Sequence, residues 1–279
     1  MTDQVRSETE TSVPTAEVYS QRDNPAFETW LAAKTASREG GFFLPHLRAG
    51  MRVLGVGCGP GSITVGLAEV VAPGEVIGVD LQPAMVEQAR ARAARHNVAN
   101  VRFEVANVYD LPFPNGSFDA VLACGLLIGL REPVPALQEI RRVLLPGGIV
   151  GLRDADMDAD IFTPMSPLLE QWWALRPRIL QRNGGQPLGR HHRWRPLEAG
   201  FARAEAWASP SNGGTLAEAR QHAAFFKAQL TGQARTAIAE GWLDQSTVDA
   251  ITEELDTWAE RPDAFSALIY CEAVGWVDA

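Results

Sequence analysis

One stretch constrains this chain more than any other. Val53-Leu54-Gly55-Val56-Gly57-Cys58-Gly59-Pro60-Gly61 is an apolar, β-branched run that ends in a glycine-rich turn and leads into a helical pattern. Glycines there reach backbone angles closed to other residues and let a ligand approach the main chain. The first amides of the following helix then point at a negative ligand group. The spacing is G-x-G-x-G, whereas the dinucleotide fingerprint is G-x-G-x-x-G, and the absence of G-K-[ST] excludes a P-loop. Taken alone, the glycines would also fit a plain tight turn.

The turn opens an alternation of elements. Short apolar strands are expected at residues 52–56, 75–80, 101–105, 118–124 and 149–154. Helices are expected at 62–71, 83–97 and 134–145, the last stopped by Pro146, Gly147 and Gly148. Near-continuous apolar strands imply a parallel sheet covered on both faces. Right-handed crossovers make such a sheet doubly wound. Beyond Asp154 the alternation lapses into a helix at 167–181, a sixth strand at 202–209, two or three helices across 216–261 and a last strand at 265–275. The expected fold is therefore α/β: a Rossmann-like, doubly wound, mostly parallel seven-stranded sheet with a helical N-terminal segment and a helical lid insertion. Residues 1–18, rich in Thr, Ser and Glu, read as a disordered arm. Residues 19–279 read as one domain, with its core at 44–156, lid or substrate helices at about 157–200 and 216–262, and the last strand at about 265–275.

Charge narrows the partners. Lys+Arg 25 against Asp+Glu 34 gives a net charge of -9, a poor match to nucleic acid or an anionic membrane surface. Lysine occurs only at Lys34 and Lys227, so the positive charge is nearly all arginine, and many of those arginines fall between Arg176 and Arg195. Cys58, Cys124 and Cys271 are far apart and form no C-x-x-C pair, which argues against a disulfide framework or zinc site and fits a reducing cytoplasm. The first 18 residues lack the apolar core of a signal peptide, and the most apolar run, 120–130, is too short to span a bilayer. The expectation is a cytoplasmic protein with a small-molecule substrate and no nucleic-acid, membrane or metal partner. A homodimer is compatible with the sequence.

Asp80 ends the second strand about 20 residues beyond the turn, where a carboxylate can accept both hydroxyls of a ribose. A helix-capping aspartate is the plainer reading of the same residue. With the stretches 53–61, 76–80, 111–119 and 142–148 in this order, residues 44–156 resemble the class I S-adenosylmethionine-dependent methyltransferases. The similarity is to the methyltransferase type 11 branch that includes the ubiquinone/menaquinone-biosynthesis enzymes. The resemblance implies S-adenosylmethionine as cofactor and methyl transfer to a small-molecule acceptor in specialised or cofactor metabolism. It implies that Gly57, Cys58, Gly59 and Gly61 pass under the methionine part of the cofactor and that Asp80 holds the ribose. Leu81 would pack on the adenine, Asn107 and Val108 would meet its edge, and Cys124 would lie near the sulfonium.

Three positions depart from that family. An acidic residue is usual where Gly55 stands, Gly-Asp where Ala106-Asn107 stands, and often a His or Gln within 127–130. Asn107 still has a carbonyl oxygen able to accept from an amino group. Gly55 and Asn107 leave two readings open: weaker cofactor binding, or an S-adenosylmethionine-binding enzyme of the same fold that catalyses a non-methylating cyclisation or rearrangement.

Displacement at a sulfonium is governed by alignment, and a general base is needed only if the nucleophile carries a proton to lose. No residue type is therefore required. Candidate catalytic groups are His191, His192 and Asp154, the last paired in sequence with Asp156 at the carboxyl end of the fifth strand. Candidate substrate contacts are Tyr19, Trp172 and His192; Trp172 and Trp173 cannot share one helix face. The run Gly189-Arg190-His191-His192-Arg193-Trp194-Arg195 fits either a base beside an anionic substrate or a solvated basic loop.

Overall fold

In a computed structural model, residues 19, 21, 23–186 and 189–279 are described. The expected arm at 1–18 lies outside them. Helices α1 (Pro25–Ala32) and α2 (Ala36–Glu39) precede the alternation β1 (Val53–Val56), α3 (Ser62–Val71), β2 (Val76–Asp80), α4 (Pro83–Arg95), β3 (Val101–Val105), β4 (Phe118–Cys124), α5 (Pro133–Val143) and β5 (Leu144–Ala155). Then follow β6 (Ile161–Thr163), α6 (Pro167–Arg182), α7 (Trp194–Glu198), β7 (Arg203–Gly213), α8 (Leu216–Ala239), α9 (Gln245–Ala259) and β8 (Phe265–Trp276).

Among the described residues the sheet has eight strands, the short β6 being the addition to the seven expected from sequence. Strands β1 to β5 pair in parallel in the order β3-β2-β1-β4-β5, and β8 adds antiparallel to β5. Strand β7 pairs along the other side of β8, opposite β5 and β6. Chain order reverses at β1, whose neighbours are β2 and β4, and the crevice for a ligand opens above the carboxyl ends of those strands. Side chains alternate across the sheet. Leu54, Val56, Ile77 and Val79 face α5, whereas Val53 and Val76 face Leu67 of α3 and Phe43.

Helix α5 ends at Val143, two residues before the expected stop. Leu144 pairs with Phe118, so Pro146-Gly147-Gly148 lies within β5.

A third apolar cluster joins α6, α8 and α9 through Trp172, Phe226, Ile251 and Trp258. Thr215 and Glu218 form a capping box that starts α8, and the Asp244 carboxylate caps α9 by accepting from Thr247 N at 2.8 Å. The N-terminal segment closes one side of this helical layer. Asn24 Nδ2 donates to Ala228 O of α8 at 2.7 Å, and Ser62 Oγ donates to Leu31 O at 2.8 Å. Among the described residues no helix is long and apolar enough to cross a membrane.

Candidate active site

The crevice between the sheet and the helical layer is a cavity of about 280 Å³. Its floor is the glycine turn and the ends of β1, β2 and β4; its roof comes from α1, the end of α6, and α8. Gly57, Gly59 and Gly61 all have positive φ, 66°, 51° and 75°. Among the described residues a Cβ at Gly59 would meet no atom within 4 Å, so the backbone there is bare toward the cavity. A Cβ at Gly61 would lie 2.7 Å from Ala89 Cβ, so this glycine serves the packing of α3 on α4. Gly61 is also the one glycine of the three that does not line the cavity.

The Asp80 carboxylate is fixed by main-chain amides: Gly59 N donates to Oδ2 and Gln82 N to Oδ1, each at 2.9 Å. Burial raises its pKa, while the amides of Gln82, Gly59 and Leu81 work against that rise. Leu81 exposes 47% of its surface beside it. Asn107 Oδ1 accepts from Tyr109 N at 3.1 Å, a local turn that orients the side chain at the cavity wall. Cys58, Val108 and Cys124 line the same space, and burial raises the pKa of both thiols. At the departure Gly55, the buried Thr64 takes the space: a Cβ there would lie 3.0 Å from Thr64 Oγ1.

Of the residues expected on the substrate side, Tyr19 lines the cavity. Four others do not. Trp172 is fully buried in the helical cluster, and its Nε1 donates to Gln233 Oε1 at 3.3 Å. It therefore supports a lining residue from behind. Asp154 and His192 are fully buried against each other, Oδ2 to Nε2 2.9 Å, outside the cavity wall. The pleat explains this, since Ala155, the next residue of β5, faces the cavity instead. His191 is exposed and makes an edge contact with Trp194. The basic stretch is largely neutralised by acid partners: Arg176 pairs with Asp160, Arg182 with Glu240, Arg190 with Asp156, and Arg195 with Glu198.

The polar groups that do line the roof were not picked out from sequence. Lys34 is 9% exposed, and its Nζ sits 4.0 Å from the Trp30 ring centroid. Burial lowers its pKa; Cys124, Glu39 and Asp154 pull it back up, and Arg153 adds to the lowering. Gln229 and Gln233, one turn apart on α8, have their oxygens engaged by Arg176 Nε at 2.8 Å and Trp172 Nε1 at 3.3 Å. Asn183, at the end of α6, accepts from Thr236 Oγ1 at 3.1 Å and keeps a buried, unpartnered Nδ2. The scarcity of lysine was the one visible signal for Lys34.

A doubly wound sheet with a bare glycine turn and a main-chain-braced acid at the switch point defines a class: α/β proteins that bind a ribose-bearing cofactor over the sheet. A family model described as a methyltransferase domain matches residues 47–184. The probable methyltransferase ltbC of Aspergillus luteorubrus is 32% identical over 87% of this chain and 91% of its own length. A demethylmenaquinone methyltransferase of Symbiobacterium thermophilum is 40% identical over 37% of this chain and 42% of its own. The Aspergillus match apart, the chain spans about half the length of the first curated relatives it matches. In structure the chain is similar to phosphoethanolamine N-methyltransferase 2 of Haemonchus contortus, with a TM-score of 0.59 at 18% identity, covering 94% of this chain and 58% of that one. The chain belongs to the methyltransferase family, as a class I S-adenosylmethionine-dependent enzyme.

Proposed function

We propose that this chain moves a methyl group from S-adenosylmethionine to a small-molecule acceptor of specialised or cofactor metabolism enclosed under the α1, α6 and α8 roof. One observation carries the reading: a single cavity runs from the glycine turn and Asp80 to Trp30, Phe225 and Gln229. Its size suits a small molecule, and the charge of -9 gives a polyanion no attraction.

The residues present fit the cofactor. The bare backbone at Gly59 leaves room for a chain of atoms to pass. Main-chain amides brace both Asp80 oxygens, and the carboxylate keeps accepting capacity for a ribose hydroxyl. In this reading Gly57, Cys58 and Gly59 lie under the methionine part, Leu81 covers the adenine, and Asn107 and Val108 meet its edge. Cys124 lies at the sulfonium end, and Gly61 acts by shaping the turn. S-adenosylmethionine supplies a methyl group on a sulfonium, an electrophile with a good leaving group. The chain supplies alignment: the aromatic side chains of α1 and α8 enclose the acceptor, and the braced Asp80 fixes the ribose without reorganising.

Protein incubated with methyl-labelled S-adenosylmethionine and either a pool of small phenols, enols and carboxylic acids or total RNA and protein tests this. Label in the small-molecule fraction is expected. Label confined to macromolecules would overturn the acceptor class.

A further inference from the structure

We propose that Lys34 is the proton-accepting residue of this site and that the acceptor carries an ionisable hydroxyl, a phenol or enol, flanked by further oxygen acceptors. The inference rests on the methyltransferase reading above and adds the acceptor chemistry to it.

Three observations carry it. First, Lys34 is nine-tenths buried and lines the cavity, and its Nζ has no hydrogen-bond partner among the described residues. The Trp30 ring lies 4.0 Å from Nζ, and a Cβ on Gly125 would lie 3.9 Å from it. Gly125 follows the carboxyl end of β4, so the amine stands beside Cys124 and the centre of the crevice. A buried amine left without a partner is costly unless a ligand meets it.

Second, three amide side chains of the roof present donors. Gln229 and Gln233 have their oxygens occupied by Arg176 and Trp172, and Asn183 has its oxygen occupied by Thr236. Their amide nitrogens are left to the cavity, and that of Asn183 is buried without a partner. A site that offers amide donors and one amine selects a molecule that presents oxygen lone pairs. Third, the surrounding wall is aromatic and apolar, with Phe27, Trp30, Phe225 and Leu180, which suits a ring.

The charged and titratable groups around Nζ are Glu39 on α2, Cys124 on β4, and Arg153 and Asp154 on β5. Glu39 and Arg153 are paired at 2.6 Å and largely cancel. Burial is the largest influence and lowers the pKa of the amine from its ordinary value. The step balances simply. The acceptor O–H bond breaks and leaves its electron pair on oxygen, while the lone pair of Nζ forms the new N–H bond. The ammonium then holds the oxyanion. The oxygen pair forms the bond to the methyl carbon as the C–S bond breaks onto sulfur, and Nζ returns its proton to water when product leaves.

The two lysines make the test direct. Protein labelled with [13Cε]lysine gives two side-chain resonances, and Lys227, paired with Asp256, is the reference. With S-adenosylhomocysteine present, 4-nitrophenol is the probe, because its visible absorption reports whether the bound species is phenol or phenolate. Wild type is expected to bind it as phenolate, with the Lys34 resonance moving to the ammonium position. Lys34→Met should weaken phenolate binding at least about tenfold and leave S-adenosylhomocysteine affinity within about twofold. Lys34→Arg, permanently charged, should keep phenolate binding but lose about 10²–10⁴-fold in transfer to a protonated phenol. Failure of wild type to bind the probe, a probe bound as neutral phenol, or Lys34→Met binding phenolate within about twofold of wild type would overturn the proposal. Failure of S-adenosylhomocysteine to bind wild type would instead overturn the cofactor reading beneath it.

Discussion

The amide of Gly59 donates to Asp80 Oδ2 at 2.9 Å, so the glycine turn after β1 and the acid that ends β2 are one rigid unit. Gln82 N holds the other oxygen at the same distance. On the proposed function, Asp80→Ala removes the charged acceptor for a ribose hydroxyl, an interaction worth about 1.5–3 kcal/mol. The expected result is a roughly 10–150-fold loss of S-adenosylhomocysteine affinity by calorimetry, with Asp80→Asn losing less. Equal affinities in wild type and Asp80→Ala would remove Asp80 from the site.

Gly59 and Gly61 separate a ligand role from a packing role. Gly61→Ala drives a methyl to 2.7 Å from Ala89 Cβ and 3.0 Å from the Phe103 ring at a φ of 75°. It should cost about 2–4 kcal/mol by urea unfolding, overpacking and left-handed strain together. Gly59→Ala meets no protein atom, so only the strain, about 1–2 kcal/mol, should appear in stability. Its larger effect should be on cofactor binding. Similar losses of stability in both variants would contradict this division.

Arg176 shows why a basic stretch in sequence is not a basic site. Its guanidinium is almost fully buried, paired with Asp160 at 2.9 Å, bonded to Gln229 at 2.8 Å and stacked 4.1 Å from the Trp173 centroid. Arg176→Met leaves Asp160 buried without its partner and should destabilise the fold by about 3–5 kcal/mol. It should also loosen Gln229 and so lower affinity for the acceptor. A thermal melt unchanged from wild type would show that water replaces the pair.

His222 gives a pH signature. It is buried, with Nδ1 2.7 Å from Ser266 Oγ, and burial lowers its pKa to about 4, with Arg38 adding to the lowering. Above pH 6.5 the ring is neutral folded and unfolded, so His222 adds no pH dependence. Between about 6.5 and 4 only the unfolded chain takes the proton, so stability falls as pH falls, by about 3 kcal/mol at most. Urea unfolding of wild type and His222→Gln from pH 7.5 to 4 checks it. The difference between them should move against wild type across that window, and a constant difference would contradict it.

Much of this molecule was legible in sequence, for a physical reason. The strands, the glycine turn and Asp80 are local signals, set by side-chain period and backbone angle within a few residues. Seven of the eight cofactor-site residues expected besides Asp80 line the cavity; Gly61, the exception, packs beneath it. The polar roof was not legible. Lys34 between α1 and α2, Asn183 just after α6, and Gln229 and Gln233 on α8 meet only through tertiary packing. Trp172 shows the limit of a helical wheel, which separates it from Trp173 but cannot say what covers either. Asp154 shows the limit of strand position: it sits at the right end of β5, and one step of the pleat turns it away from the cavity.

The central claim is that this crevice binds the methyl donor. Isothermal titration of wild-type protein with S-adenosylhomocysteine tests it most directly. One-to-one binding, competed by S-adenosylmethionine, is the result expected. No heat in the titration, together with no retention of the nucleoside in equilibrium dialysis, would contradict it.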